Sequence, residues 1–173
     1  MGIGMSIINW IENNTLTTSH KTVKVSRGDI DMEIIPQQSC IVVRCGAKTD
    51  RLDAVTSNTL RKNVFKSISK TARPDRPVIL DLQGVNYIDD SGLGAILSVM
   101  QAMQEKTEML ICGAGENLKN IFRLTRVDGV LKSYDSLDEA EREAERRVQQ
   151  RMASMAVAQK SGILSRIRSF LTH

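Results

Sequence analysis

Few side chains in this chain have the types and spacing to do chemistry. Ser91 stands in Asp89-Asp90-Ser91-Gly92-Leu93-Gly94, with two carboxylates before it and two glycines around Leu93. A serine hydroxyl becomes a nucleophile only when a base takes its proton. The two histidines, His20 and His173, are far from this segment in sequence and supply no such base. Asp89 and Asp90 are adjacent and do not by themselves make an acid–base pair. Cys40, Cys45 and Cys112 sit in apolar, strand-like runs without histidines at metal-ligand spacing, and read as buried small hydrophobes. Gly113-Ala114-Gly115 lacks the rest of a phosphate loop or a dinucleotide fingerprint and reads as a turn. No catalytic set, metal site or cofactor motif assembles, so the chain reads as a binding protein and not as an enzyme.

Two roles remain for Ser91. The plain one is a helix N-cap, worth about 1 kcal/mol to the helix. The other is a phosphoacceptor. A phosphate there meets the unpaired amides and the positive end of the helix dipole. It also sits beside Asp89 and Asp90 and adds about −1.5 to −2 charges, enough to alter a contact surface.

The elements that must hold this hinge are legible around it. Val78 to Leu82 is short, apolar and closed off by Arg73-Pro74-Asp75-Arg76-Pro77, as a central strand is. From Leu93 the apolar residues Leu93, Ile96, Leu97, Met100 and Met103 recur at helical spacing. Gly92 and Gly94 give the backbone room to turn and leave the hydroxyl uncovered. Upstream, Asp29 to Ile35 and Ser39 to Cys45 form two β-prone runs around Pro36-Gln37-Gln38, a hairpin. Asp50 or Asp53 then opens a helix with Val55, Leu60, Val64 and Ile68 on its apolar face, and Asp53 suits an N-cap. Downstream come a strand at Glu108 to Cys112, a short helix at Asn117 to Thr125 and an edge strand within Val130 to Tyr134. Ser136-Leu137-Asp138-Glu139 is a capping box opening a long helix. Ala140, Ala144, Val148, Met152 and Met155 or Ala156 stripe that helix until Ser161-Gly162, where an interruption is expected.

Composition sets the outer limits. The 173 residues suit one domain with extensions, and 41% hydrophobic with 25% charged residues is the balance of a globular protein. No apolar run reaches the ~20 residues of a membrane span, and the N-terminus lacks the pattern of a cleavable signal. With the reduced thiols this points to the cytoplasm. From Arg146 onward there are six Lys or Arg and no Asp or Glu, so the remainder is slightly acidic. Only 3% aromatic residues argues against a base-stacking platform, and no nucleic-acid partner is expected.

The stretch ILDLQGVNYIDDSGLGAIL, Ile79 to Leu97, resembles the core motif of the STAS family, the sulfate transporter and anti-sigma factor antagonist domains. In the bacterial antagonists a strand enters an Asp-(Ser/Thr)-Ser-Gly-Leu-Gly turn, and the serine before the first glycine is phosphorylated. On this resemblance Ser91 is the phosphoacceptor, Asp89 matches the family aspartate, and Asp90 replaces the commoner Ser or Thr. The segment from Arg51 to Leu60 resembles the opening of the family's first helix, which puts Asp53 near the turn. The short helix from Asn117 resembles the one that shares the partner surface.

The resemblance implies a STAS fold: a small mixed sheet of four to five strands flanked by about four helices, with helical extensions at both ends. The expected organisation is an extension over 1–28, the domain over 29–145, and a basic helical extension over 146–173. Within the first extension, Ile3, Ile7, Ile8, Trp10 and Ile11 suit a short amphipathic helix, and Thr15 to Arg27 suits a linker.

The implied function is partner switching. The unphosphorylated protein binds a Ser/Thr kinase-type anti-sigma factor or switch kinase, phosphorylation of Ser91 releases it, and a Ser/Thr phosphatase resets it. The implied contact residues are Asp53, Asp89, Asp90, Ser91, Gly92, Leu93 and Gly94. The alternative is an accessory subunit of a lipid-transporter ATPase or a signalling assembly, without a phosphorylation switch. Ile163, Leu164, Ile167, Phe170 and Leu171 give the tail an apolar face suited to packing on the domain or the Trp10 segment, self-association, a partner groove or weak membrane contact.

Overall fold

The computed structural model describes residues 23–27, 30–46, 49–71, 76–103 and 107–171. The Ile3–Ile11 segment, and residues 1–22 as a whole, lie outside the described residues.

The chain alternates short strands and helices. The strands are β1 (Val23–Arg27), β2 (Ile30–Pro36), β3 (Ile41–Cys45), β4 (Arg51–Leu52), β5 (Val78–Asp81), β6 (Tyr87–Ile88), β7 (Met109–Cys112) and β8 (Ser133–Tyr134). The helices are α1 (Ala54–Thr71), α2 (Asp90–Met103), α3 (Glu116–Leu124) and α4 (Leu137–Leu171). Six strands form one mixed sheet in the order β1-β2-β3-β5-β7-β8. The first three are antiparallel neighbours; β3, β5, β7 and β8 run parallel. The β2–β3 hairpin is the one expected, closed by the Gln37 N–H donating to the Cys40 carbonyl at 2.9 Å. Strands β4 and β6 pair separately as a two-stranded parallel ladder.

Side chains alternate across the sheet because the strand period is two. Ile41, Val43, Val78, Leu80, Met109 and Ile111 face one core with Leu60 and Val64 of α1, Leu93, Ile96 and Met100 of α2, and Leu118 and Phe122 of α3. Val42, Ile79, Leu110 and Cys112 face the other way, onto Ala140 and Ala144 of α4. Alanines at that contact let the helix lie close to the sheet. All three cysteines are buried, and burial pushes each thiol up to about 12.

The α4 side of the sheet also buries one carboxylate. Asp81 accepts from Arg44 Nε at 2.9 Å and from the Gln83 N–H at 3.0 Å. A buried carboxylate needs such partners. These bonds fix the chain as it leaves β5, and Gly84, at φ 93°, turns it toward β6.

The structure corrects the sequence reading in four places. Val23–Arg27, assigned to a linker, is an edge strand, which brings the sheet to six strands. Val55, assigned to the buried face of α1, is 71% exposed, while Leu60 and Val64 are buried. It lies in the first turn, ahead of the part of the helix that crosses the sheet. Gly162 does not interrupt α4, which runs for 35 residues; one interior glycine costs a helix only about 1 kcal/mol. The capping box is present with one change: Ser136 Oγ accepts the Glu139 N–H, but Glu139 reaches back to the Asp135 N–H.

Early in α4, Glu143 binds both Arg146 and Arg147 at 2.7 Å. These arginines, Arg146 first, pull its carboxyl down to about 2. Arg147 also reaches Glu108, which ties the helix to the start of β7.

Candidate functional site

The site is built at the C-terminal end of the β4–β6 ladder. Leu52 pairs with Ile88, so the residues that follow, Asp53 and Asp89, leave the ladder side by side. The ladder is sealed by the Asn86 N–H on the Asp50 carbonyl and the Asp89 N–H on the Leu52 carbonyl. Each aspartate then opens a helix. Parallel pairing of two such short strands therefore sets two helix N-termini next to each other.

At the start of α1, Asp53 Oδ1 accepts the N–H groups of Val55 and Thr56, each at 3.1 Å. Thr56 Oγ1 returns the bond by accepting the Asp53 N–H at 2.8 Å. The Thr56 amide, above all, holds the Asp53 carboxyl below the usual aspartate range; the Thr56 hydroxyl, the Val55 amide and Arg51 add to this. Asp53 is thus the helix cap expected of it.

At the start of α2 the cap is Asp89, whose Oδ1 accepts the Gly92 N–H at 2.9 Å. This corrects the sequence reading, which makes Ser91 the cap of this helix. In the structure Ser91 lies in the first turn of α2 itself, exposed, and among the described residues its hydroxyl makes no hydrogen bond. Asp90 is exposed beside it, and Asp89 is half-buried. Gly92 and Leu93 are buried and contribute position more than surface.

The two glycines differ. A Cβ on Gly92 would strike the Leu52 carbonyl oxygen and lie 2.7 Å from its carbon. A Cβ on Gly94 would meet nothing within 4 Å. Neither takes a left-handed backbone. Gly92 is required for close approach of α2 to β4, and this approach holds Ser91 at the surface. The turn that the sequence reading assigned to glycine flexibility is instead made by the Asp89 cap.

Three surface residues at this site are not among the contact residues expected from the sequence. Arg51 lies over the Tyr87 ring, 4.4 Å from its centroid, and 3.6 Å from Asp53. Tyr87 is 44% exposed and Val55 is 71% exposed, both large for apolar side chains beside a polar hinge. Strands of two residues carry no readable period, so nothing in the sequence marked Arg51 and Tyr87 as partners.

The STAS domain family model matches residues 30–140. This chain belongs to the STAS domain family. An anti-sigma F factor antagonist of Paenibacillus polymyxa is 24% identical over 109 residues, covering 62% of this chain and 89% of that protein. Among solved structures, an anti-sigma-factor antagonist (STAS) domain protein from Planctomyces limnophilus superimposes with a TM-score of 0.60 at 19% identity, covering 69% of this chain and 99% of that one. An anti-sigma factor antagonist from Mycobacterium paratuberculosis gives 0.58 at 20% identity, covering 70% and 99%. The STAS fold expected from the sequence is therefore the observed one. The matched span stops at the first turn of α4. Among the described residues, no helix is long and apolar enough to cross a membrane.

Proposed function

We propose that this STAS domain is a partner switch of the anti-sigma factor antagonist kind, with Ser91 as its phosphoacceptor. The observation that carries the reading is the state of the Ser91 hydroxyl. It is exposed and unengaged, on a helix start whose cap is supplied by another residue. Phosphorylation therefore costs the fold no hydrogen bond.

In the unmodified protein, Val55 in the first turn of α1 and Tyr87 on β6 are exposed apolar groups on the elements that position the two helix starts, while Asp53, Asp89, Asp90 and Arg51 set the charge pattern. The partner is a Ser/Thr kinase-type anti-sigma factor or a switch kinase. Phosphate on Ser91 adds about −1.5 to −2 charges to a surface that already carries Asp90 beside it. A partner that docks on the unmodified surface then loses affinity through repulsion and desolvation. A Ser/Thr phosphatase restores the first state. The switch works only if the two forms differ in affinity, since equal binding shifts no equilibrium.

The test uses a candidate kinase-type anti-sigma factor from the same genome with ATP. Phosphate-affinity gels should show one shifted species for the wild type and none for Ser91→Ala. Ser91→Glu should bind the kinase about tenfold or more weakly in titration calorimetry. Equal labelling of Ser91→Ala, or undiminished binding by Ser91→Glu, would overturn the proposal.

A further inference from the structure

Helix α4 is about 52 Å long, and among its described side chains, those of residues 137–158, only the first third of the helix is buried on the domain. Ala140 and Ala144 are buried against the sheet, and Arg147 makes the ion pair to Glu108. Every residue from Gln149 to Ala158 is exposed, including Met152, Met155 and Val157. The helix continues unbroken to Leu171.

The phase of the helix separates its two halves. At 100° per residue, Ile163, Leu164, Ile167, Phe170 and Leu171 fall on a face centred roughly 140° round the axis from Ala144. The face that meets the sheet is therefore not the apolar face of the second half. A continuous helix cannot bring both onto the same sheet. Arg166 and Arg168 fall just outside the two edges of this apolar face, and Ser165 and Ser169 fall opposite it. Lys160 falls within it. After Glu145 the chain has no acidic residue, while Arg151, Lys160, Arg166 and Arg168 are all basic.

We infer that residues 160–171 form an interfacial anchor that lays α4 on an anionic lipid surface. A second copy of the helix is the rival occupant, and two features disfavour it. Helix pairing would set Lys160 in an apolar seam, where a charge is costly. It would also bring cationic flanks together with no carboxylate on either strand to pair them. At a lipid surface the same residues are suited to their places. A lysine on the apolar face extends its stem and keeps its ammonium among the headgroups. Arginines at both edges meet anionic lipid, and the apolar residues enter the acyl boundary. The domain, held by the first third of α4, then stands beside the membrane with Ser91 carried on the other side of the sheet, where α2 packs.

The experiment is flotation of the full chain with vesicles of phosphatidylcholine alone or with phosphatidylglycerol at one part in three. Three cations near the surface predict a preference for the anionic vesicles on the order of a hundredfold at low salt, falling as salt rises. Ile167→Asp and Phe170→Asp should each reduce binding about tenfold or more. Arg166→Gln with Arg168→Gln should remove most of the preference for anionic lipid while leaving the helix content by circular dichroism unchanged. Light scattering of the same proteins without vesicles gives the decisive control. No binding to anionic vesicles, equal binding to both vesicle types, or a dimer in solution that Phe170→Asp dissociates would each overturn the inference.

Discussion

Helices α1 and α2 both follow a two-residue strand, and both take an aspartate as cap. They differ in what becomes of the hydroxyl near each start. In α1 the Thr56 hydroxyl is buried and spent: it accepts the Asp53 N–H and donates to the Arg51 carbonyl of β4. In α2 the Ser91 hydroxyl is exposed and takes no part in the cap. One start is locked by its own side chains, and the other leaves a reactive group outside a turn that is already stable without it. A site of modification needs the second arrangement, since a hydroxyl already committed to the fold would have to be pulled out of it first.

The sharpest way to break this comparison is at the contact that holds α2 in place. Gly92→Ala must push α2 away from the Leu52 carbonyl and should destabilise the domain by about 3 kcal/mol. Gly94→Ala, with open space around it, should be neutral or stabilise by about 0.5–1 kcal/mol. Urea unfolding of the two variants measures the difference. Equal effects would show that helix propensity, and not the close approach, governs the site.

The two hydroxyls can be compared directly. Thr56→Ala removes the reciprocal bond of a capping box and should cost about 1–2 kcal/mol. Ser91→Ala should change stability by no more than about 0.5 kcal/mol, as an exposed residue outside any network. If Ser91→Ala costs as much as Thr56→Ala, the serine is structural and the contrast between the helix starts fails.

The smallest effect is on the acid side. The folded-state pKa of Asp53 is depressed below the usual aspartate range, chiefly by the Thr56 amide. Its contribution to stability is therefore complete above the unfolded-state value and is lost as pH falls through the folded one. NMR titration of the Asp53 carboxyl should give a midpoint below that of an exposed aspartate, and Thr56→Pro, which removes both the amide and the hydroxyl, should raise it. A midpoint unmoved by that change would remove the α1 cap from the account.

The presence and apolar face of α2 are legible in the sequence because those signals are local. A helix period, a polar hinge and a β-branched strand before it are properties of neighbouring residues. Legibility failed where a feature depends on distant partners. Val55 obeys the helix period of α1 and is nevertheless exposed, because it precedes the contact with the sheet. Val23–Arg27 is polar enough to pass for a linker, and becomes a strand through its antiparallel register with β2. The Arg51–Tyr87 pair rests on a ladder too short to have a pattern.

By itself the sequence determined the order of β2, β3, β5, β7, β8 and the four helices, but not β1, β4 or β6; it also determined the hairpin, the hinge around Ser91 and the basic apolar character of the tail. It also placed an aspartate before each of the two helices. Only the tertiary structure decided that Asp89, and not Ser91, caps α2, because this depends on which oxygen reaches the Gly92 amide. Only the packing of α2 on β4 showed why Gly92 has no side chain. The serine's type and position are written in the chain, but its freedom is a property of the fold, since Asp89 takes the Gly92 amide with its side chain and the Leu93 amide with its carbonyl.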